Sequence, residues 1–111
     1  MSSANTEKLL EERRTLLREL GSLSRLLQGS WVQRYSVCAR VGCKCHSGQR
    51  HGPRHYLVIY EQGRQRQRYV PNTQVQVALE GLAQYRRLQQ IVERITQVNL
   101  ALLREENEHA H

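Results

Sequence analysis

Tyr56-Leu57-Val58-Ile59-Tyr60-Glu61-Gln62-Gly63-Arg64-Gln65-Arg66-Gln67-Arg68-Tyr69-Val70-Pro71 decides the fold of this 111-residue chain. Its first five residues are aromatic, β-branched or leucine, a composition that suits a pleated, partly buried strand. Glu61-Gln62-Gly63 is a turn. Arg64 to Val70 returns as an alternating strand, so the segment predicts a β-hairpin. Upstream, Trp31-Val32-Gln33-Arg34-Tyr35 reads as another short strand. A three-stranded sheet of this size is marginal alone and needs a staple or a helix to lean on.

Helical periodicity appears on both sides of this module. From about Asn5 to Gln28, Leu9, Leu16, Leu20, Leu23 and Leu27 form an apolar stripe that Leu10 and Leu17 widen. Ser3 or Asn5 can cap it, Glu7 and Glu11 suit its dipole, Gly21 is a weak point, and Gly29 reads as its stop. After Pro71, with Asn72 as a cap, a second helix is predicted from Thr73 to Glu106. Val75, Leu79, Leu82, Tyr85 and Leu88 begin its stripe, and Ile91, Ile95, Val98 and Leu102 continue it. About 33 residues at ~1.5 Å each give roughly 50 Å. Glu105, Glu106 and Glu108 lie at the wrong end for the dipole, so the tail is expected to fray.

The expected fold is therefore α+β. Long N- and C-terminal helices (1–28 and 72–111) pack as a helical hairpin or dimeric coiled coil and flank a small antiparallel β module (29–71), in one structural domain overall. The second helix outruns both its neighbour and the module, so its seam needs further cover. That predicts a homodimer through Leu16, Leu20, Leu23, Leu27, Leu88, Ile91, Ile95, Val98 and Leu102. A monomeric hairpin with a frayed end is the simpler alternative. Apolar residues are only 39% of the chain, with no Phe and one Trp, so the core must be thin.

The formal charge is +7, and its distribution matters more than its size. Residues 29–71 hold eight Lys/Arg against Glu61 alone, whereas residues 1–28 come to +1 and 72–111 to −1. The excess thus falls on the β module, which points to an anionic partner. Arg64, Arg66 and Arg68 share one strand face, with Gln65, Gln67 and Tyr69 on the other. With Arg40, Lys44, Arg50 and Arg54 they make a surface suited to phosphate, DNA rather than RNA being favoured. The blander reading is a solvated basic surface whose strand arginines block edge-to-edge pairing. Trp31, Tyr35, Tyr56 and Tyr60 can stack on unpaired bases, but their first reading is the sheet's own core.

Cys38, Cys43 and Cys45 fall within eight residues, followed by His46, His51 and His55. Three thiolates and one imidazole make a tetrahedral zinc set. His51, before the rigid Gly52-Pro53, is the preferred fourth ligand, with His46 as the alternative. Arg40, Lys44 and Arg50 would offset thiolate charge. One structural zinc per chain would staple the sheet, and its binding would be folding energy. Buried cysteines, another metal, or a thiol pair acting as a redox or metal sensor are the competing readings. The chain has no Asp, no Ser/His/Asp set and no phosphate loop, so no enzymatic activity is expected. Without an apolar span or signal core, a cytoplasmic location away from membranes is expected.

The string Gly29-Ser30-Trp31-Val32-Gln33-Arg34-Tyr35, then Cys38, Gly42-Cys43-Lys44-Cys45, His51-Gly52-Pro53, Tyr56-Leu57 and Tyr69-Val70-Pro71 resembles an uncharacterised bacterial and archaeal family of short proteins. Its members are often found near transposase and mobile-element genes. The resemblance runs from Gly29 through the long helix. Arg54-His55 departs from it, since the family is associated with aromatic residues there. The resemblance implies a mobile-element setting and no mechanism. Together these readings predict a non-enzymatic nucleic-acid-binding protein. The main alternative is a protein–protein adaptor that works through its long helix.

Overall fold

The hairpin forms two strands of a three-stranded antiparallel sheet. In the computed structural model, whose described residues are 3–36 and 51–109, the order of elements is α1 (Ser3–Gly21), β1 (Ser30–Ser36), β2 (His51–Glu61), β3 (Arg64–Val70), a 3-10 turn (Asn72–Gln74) and α2 (Val75–His109). The strands lie side by side in the order β1-β2-β3. β2 is longer than its apolar run predicts, because Pro53, Arg54 and His55 continue it back to His51. Glu61 is the last residue of β2 rather than part of the turn, and it pairs with Arg64. Only Gln62 and Gly63 remain to reverse the chain, at φ 52° and 78°. Two positive φ angles are those of a type I′ turn, whose twist matches that of the flanking strands.

The chain divides into two compact units. One spans Leu27–Leu82 and contains the sheet and the start of α2. Its core is Leu57, Val70, Ala78 and Leu82, with Leu27, Trp31, Ile59 and Val75 packed against them. Ala78 fills the place in the stripe that the sequence assigns to Leu79, which is exposed. A small residue at 78 lets the helix approach the sheet closely. Pro71 holds the cap position of the 3-10 turn and Asn72 is the turn's first residue, so Asn72 does not act as its cap.

Gly29 has a different role from the helix stop expected of it. It lies where β1 begins, and a Cβ there would sit 2.6 Å from the Val58 carbonyl oxygen and 3.1 Å from Ile59 Cγ2. Close backbone approach, not a left-handed cap, is what needs glycine at this position.

The other unit comprises Met1–Leu26 and Ala83–His111. α1 stops at Gly21, seven residues before the predicted end at Gln28. The break the sequence locates at Gly21 ends the helix: the Ser22 and Leu23 N–H groups donate to Glu19 and Leu20 carbonyls in tight i to i+3 turns. Leu23 and Leu27 are half-buried, yet neither is helical. Ile91 and Val98 on α2 are closed off from solvent, with Leu102 nearly so, while Leu16, Leu20, Leu88 and Ile95 are half-buried.

Polar bonds between α1 and α2 flank this apolar stripe. Arg87 donates from Nε and Nη2 to Glu19, and Arg94 donates from Nε and Nη2 to Glu12. Both forks are bidentate, the geometry that makes an arginine–carboxylate pair specific. Arg13 donates to Asn99 Oδ1 at 2.8 Å. Glu12 meets Arg94 and Glu19, one heptad later, meets Arg87, so the two segments run antiparallel. The hydrogen bonds from Arg94 and Arg87 hold Glu12 and Glu19 below the usual carboxylate range. The same pairs raise the arginines above theirs.

The α2 C-terminus corrects the expectation of a frayed tail. The helix continues to His109, and Glu105 is 9% exposed. Asn5 Nδ2 donates to Glu105 Oε1 at 2.8 Å, and Thr6 Oγ1 donates to Oε2 at 2.5 Å. Glu105 is misplaced for the dipole of its own helix but lies at the positive end of α1. Among the described residues no helix is long and apolar enough to cross a membrane.

Candidate nucleic-acid interface

Strand pairing sorts the module's side chains onto two faces. Trp31 lies opposite Leu57, Leu57 opposite Arg68, Ile59 opposite Arg66, and His55 opposite both Gln33 and Val70. Directly opposed residues share a face. The arginine row therefore stands on the same face as the core residues Leu57 and Val70. It lies along the edge strand, where charge also guards against intermolecular pairing.

Arg64, Arg66 and Arg68 are all exposed. Glu61, the only carboxylate in residues 29–71, serves this row. Arg68 Nη2 lies 2.5 Å from Glu61 Oε1 and Arg66 Nε 3.5 Å from Oε2. Such surface pairs contribute about 0–1 kcal/mol each. They are weak enough to be exchanged for a phosphate, and Glu61 offsets only one of the three positive charges.

The opposite face carries Arg34 and Val32 from β1, Arg54, Tyr56, Val58 and Tyr60 from β2, and Tyr69, Gln67 and Gln65 from β3. Tyr60 is 75% exposed and Tyr69 56%, and Tyr56 is half-buried. Tyr35, on β1, is also exposed. Of the four aromatics that the sequence suggests for the core, only Trp31 packs into it. The core forms on the other face, where α2 supplies Ala78 and Leu82. Tyr56 and Tyr69 meet edge to face at 5.8 Å and 65°. The Arg34 guanidinium lies over the Tyr56 ring, 5.6 Å from its centroid. Arg34 and Arg54 are directly opposed across the strands, a like-charge pairing that costs stability unless something neutralises it.

On the core face, His55 stacks on Trp31 at 5.3 Å and 27°. Its Nδ1 is buried without a hydrogen-bond partner. Nothing in the sequence identifies this site.

The predicted metal ligands Cys38, Cys43, Cys45 and His46 lie outside the described residues, as do the basic residues Arg40, Lys44 and Arg50. His51 is the first residue of β2, paired with Ser36. Among the described residues no cluster of three or more His, Cys, Asp or Glu could hold a metal ion.

Residues 6–79 match the model of a family described as a domain of unknown function (DUF6788). The match begins in α1, takes in all three strands and ends in α2. No curated protein and no solved structure matches the chain. With about two thirds of its length covered by that one match, the chain belongs to the DUF6788 family.

Proposed function

We propose that this protein binds nucleic acid, with DNA as its target, and performs no catalysis. One observation carries the reading: the whole +7 excess falls on residues 29–71, and Arg54, Arg64, Arg66 and Arg68 of that segment are exposed on the sheet. The strand arginines contact phosphate, a zinc ion on Cys38, Cys43, Cys45 and His51 (or His46) staples the module, and the helices form the antiparallel, coiled-coil-like support. A setting among mobile elements follows from the sequence resemblance and accords with DNA as the target.

Binding of a labelled duplex, titrated with salt, tests the proposal. Removing one phosphate-binding arginine reduces the slope of log K against log salt by about 1. Arg66→Glu weakens binding and flattens the slope. Glu61→Gln frees Arg66 and Arg68 and tightens binding. Absence of binding to DNA and RNA at low salt would overturn the reading. Metal content of the purified protein, with far-UV circular dichroism before and after chelation, tests the staple.

A second reading, as a helix-mediated adaptor or homodimer, has its own support. Val92, Leu100 and Leu103 are exposed on α2. At ~100° per residue they fall within about 80° of one another, on the side away from Ile91, Val98 and Leu102. Such a second apolar stripe suits another helix. Sedimentation of Leu100→Glu/Leu103→Glu tests it: loss of a wild-type dimer supports the dimer, and an unchanged monomer removes it.

A further inference from the structure

We propose that the open face of the sheet is a stacking platform for single-stranded DNA, with Tyr60 and Tyr69 receiving bases and Arg34 and Arg54 receiving the phosphate backbone. This deepens the nucleic-acid reading and rests on it.

The face is exposed, aromatic and positive. Among the described residues, Tyr60 is the most exposed of the large apolar and aromatic side chains, at 75%. The Tyr56–Tyr69 contact accounts for part of one cross-strand pair, since such pairs steady a sheet. Tyr60 has no such explanation, because Gln65 lies opposite it. Its phenol ring is left in water on a strand whose alternate residues build the core. Aromatic rings standing on an open sheet hold unpaired bases through their faces, an interaction available from any base.

The charges on this face identify the rest of the ligand. Arg34 and Arg54 are opposed in register, and Glu61, the module's one carboxylate, belongs to the other face. An anion between the two arginines would relieve their repulsion. Tyr56 is half-buried, with Arg34 over its ring and Tyr69 in edge-to-face contact with it, so the more exposed Tyr69 and Tyr60 are the rings left to accept bases. Tyr69 lies opposite Tyr56, four residues from Tyr60 along β2. At ~3.3 Å per residue the two rings are about 13 Å apart along the strand direction. Gln67 and Gln65 stand on this face between and beside them, exposed, with amides able to bond base edges.

The geometry separates single strands from duplexes. In a duplex both faces of each base are covered by neighbouring bases, so the rings have nothing to stack on. The strand arginines on the other face would still hold its phosphates. The platform thus supplies a preference for single strands over the affinity that charge provides.

The test is fluorescence anisotropy of labelled 12-nucleotide oligothymidine, the matching duplex and oligouridine, with the full chain and Tyr60→Ala/Tyr69→Ala. Tyr60 and Tyr69 are exposed, so circular dichroism of the variant should match wild type. Tyr60→Phe/Tyr69→Phe keeps the rings as a second control. Wild type is expected to prefer oligothymidine to the duplex. The alanine variant loses about 10-fold or more in oligothymidine affinity, with an unchanged salt slope and unchanged duplex binding, and the phenylalanine variant retains wild-type affinity. Unchanged oligothymidine binding by the alanine variant overturns the platform while leaving the nucleic-acid reading intact. Tighter binding of oligouridine than oligothymidine overturns DNA as the occupant. Conversion of a wild-type dimer to monomer without loss of oligothymidine binding reassigns the face to a second copy of the chain. Absence of binding to all three probes overturns both readings together.

Discussion

Thr6 donates its hydroxyl to Glu105 Oε2 at 2.5 Å, joining the first turn of α1 to the last turns of α2 across 99 positions of sequence. Asn5 donates to the other oxygen, so both carboxylate oxygens are engaged at the positive end of α1. Glu105→Ala is expected to leave Asn5 and Thr6 without this acceptor and to destabilise the helical unit by about 1–3 kcal/mol. Glu105→Gln, which keeps one carbonyl acceptor, should lose less. Hydrogen exchange distinguishes this from simple fraying: protection of amides 98–106 falls together with that of the first turn of α1. A wild-type exchange pattern in the alanine variant would show that the interaction contributes nothing.

Acid should loosen the same unit. Glu12 and Glu19 lie below their ordinary value of 4.5 because Arg94 and Arg87 donate hydrogen bonds to their charged forms. A lowered carboxylate pKa contributes stability that is fully present above the unfolded value. It is lost as pH falls through the folded one. Thermal stability should therefore be unaffected by these pairs from neutral pH down to about 5 and should fall progressively below 4.5. Both pairs are partly exposed, so added salt should reduce the effect. In Glu12→Gln/Glu19→Gln the acid decline should be shallower than in wild type; equal declines would assign it to other groups.

Strand alternation is legible in the sequence, whereas the partner that covers each face is not. A strand has period two, so the alternation of Arg64, Arg66 and Arg68 with Gln65, Gln67 and Tyr69 separates two faces without knowledge of any partner. It does not say which face a helix will cover, and so the tyrosines read as core until α2 is placed. Leu23 and Leu27 continue the leucine spacing of α1 beyond Gly21, and apolar spacing alone does not require helix. Leu27 instead donates its N–H to the Gly81 carbonyl and packs into the sheet core. Glu105 reads as misplaced when only its own helix is considered, while its partners belong to another. Glu12 and Glu19 are seven residues apart, as are Arg87 and Arg94. That shared heptad is a readable sign of two helices paired by charge. The predicted cysteine site lies outside the described residues.

The turn offers a gain in stability. Gln62 has a positive φ of 52°, a conformation that a residue with a Cβ adopts at a cost. Gly63 follows at 78° and suits the second turn position. Gln62→Asn gives the Asn-Gly pair favoured in type I′ turns and should raise stability by about 0.5–1 kcal/mol. Gly63→Ala should do the reverse by at least as much. Chemical denaturation of the two variants checks the pair, and a Gln62→Asn midpoint below wild type would contradict the turn assignment.

His55 is the one described residue whose buried polar side-chain atom has no hydrogen-bond partner. Its ring is nevertheless well used, stacked on Trp31 at 5.3 Å on the core face. Phenylalanine offers a comparable ring for that stack and carries no nitrogen. His55→Phe is therefore expected to stabilise the module by about 1 kcal/mol, since an unpaired buried polar atom costs about 1–3 kcal/mol. The same variant bears on the histidine ligand of the proposed zinc site. If His51 or His46 completes that site, His55→Phe keeps a full complement of zinc and melts higher than wild type. Loss of zinc with a lower melting temperature would instead make the imidazole of His55 the fourth ligand and explain why its nitrogen has no partner within the protein. Metal analysis and a thermal melt on one preparation separate the two outcomes.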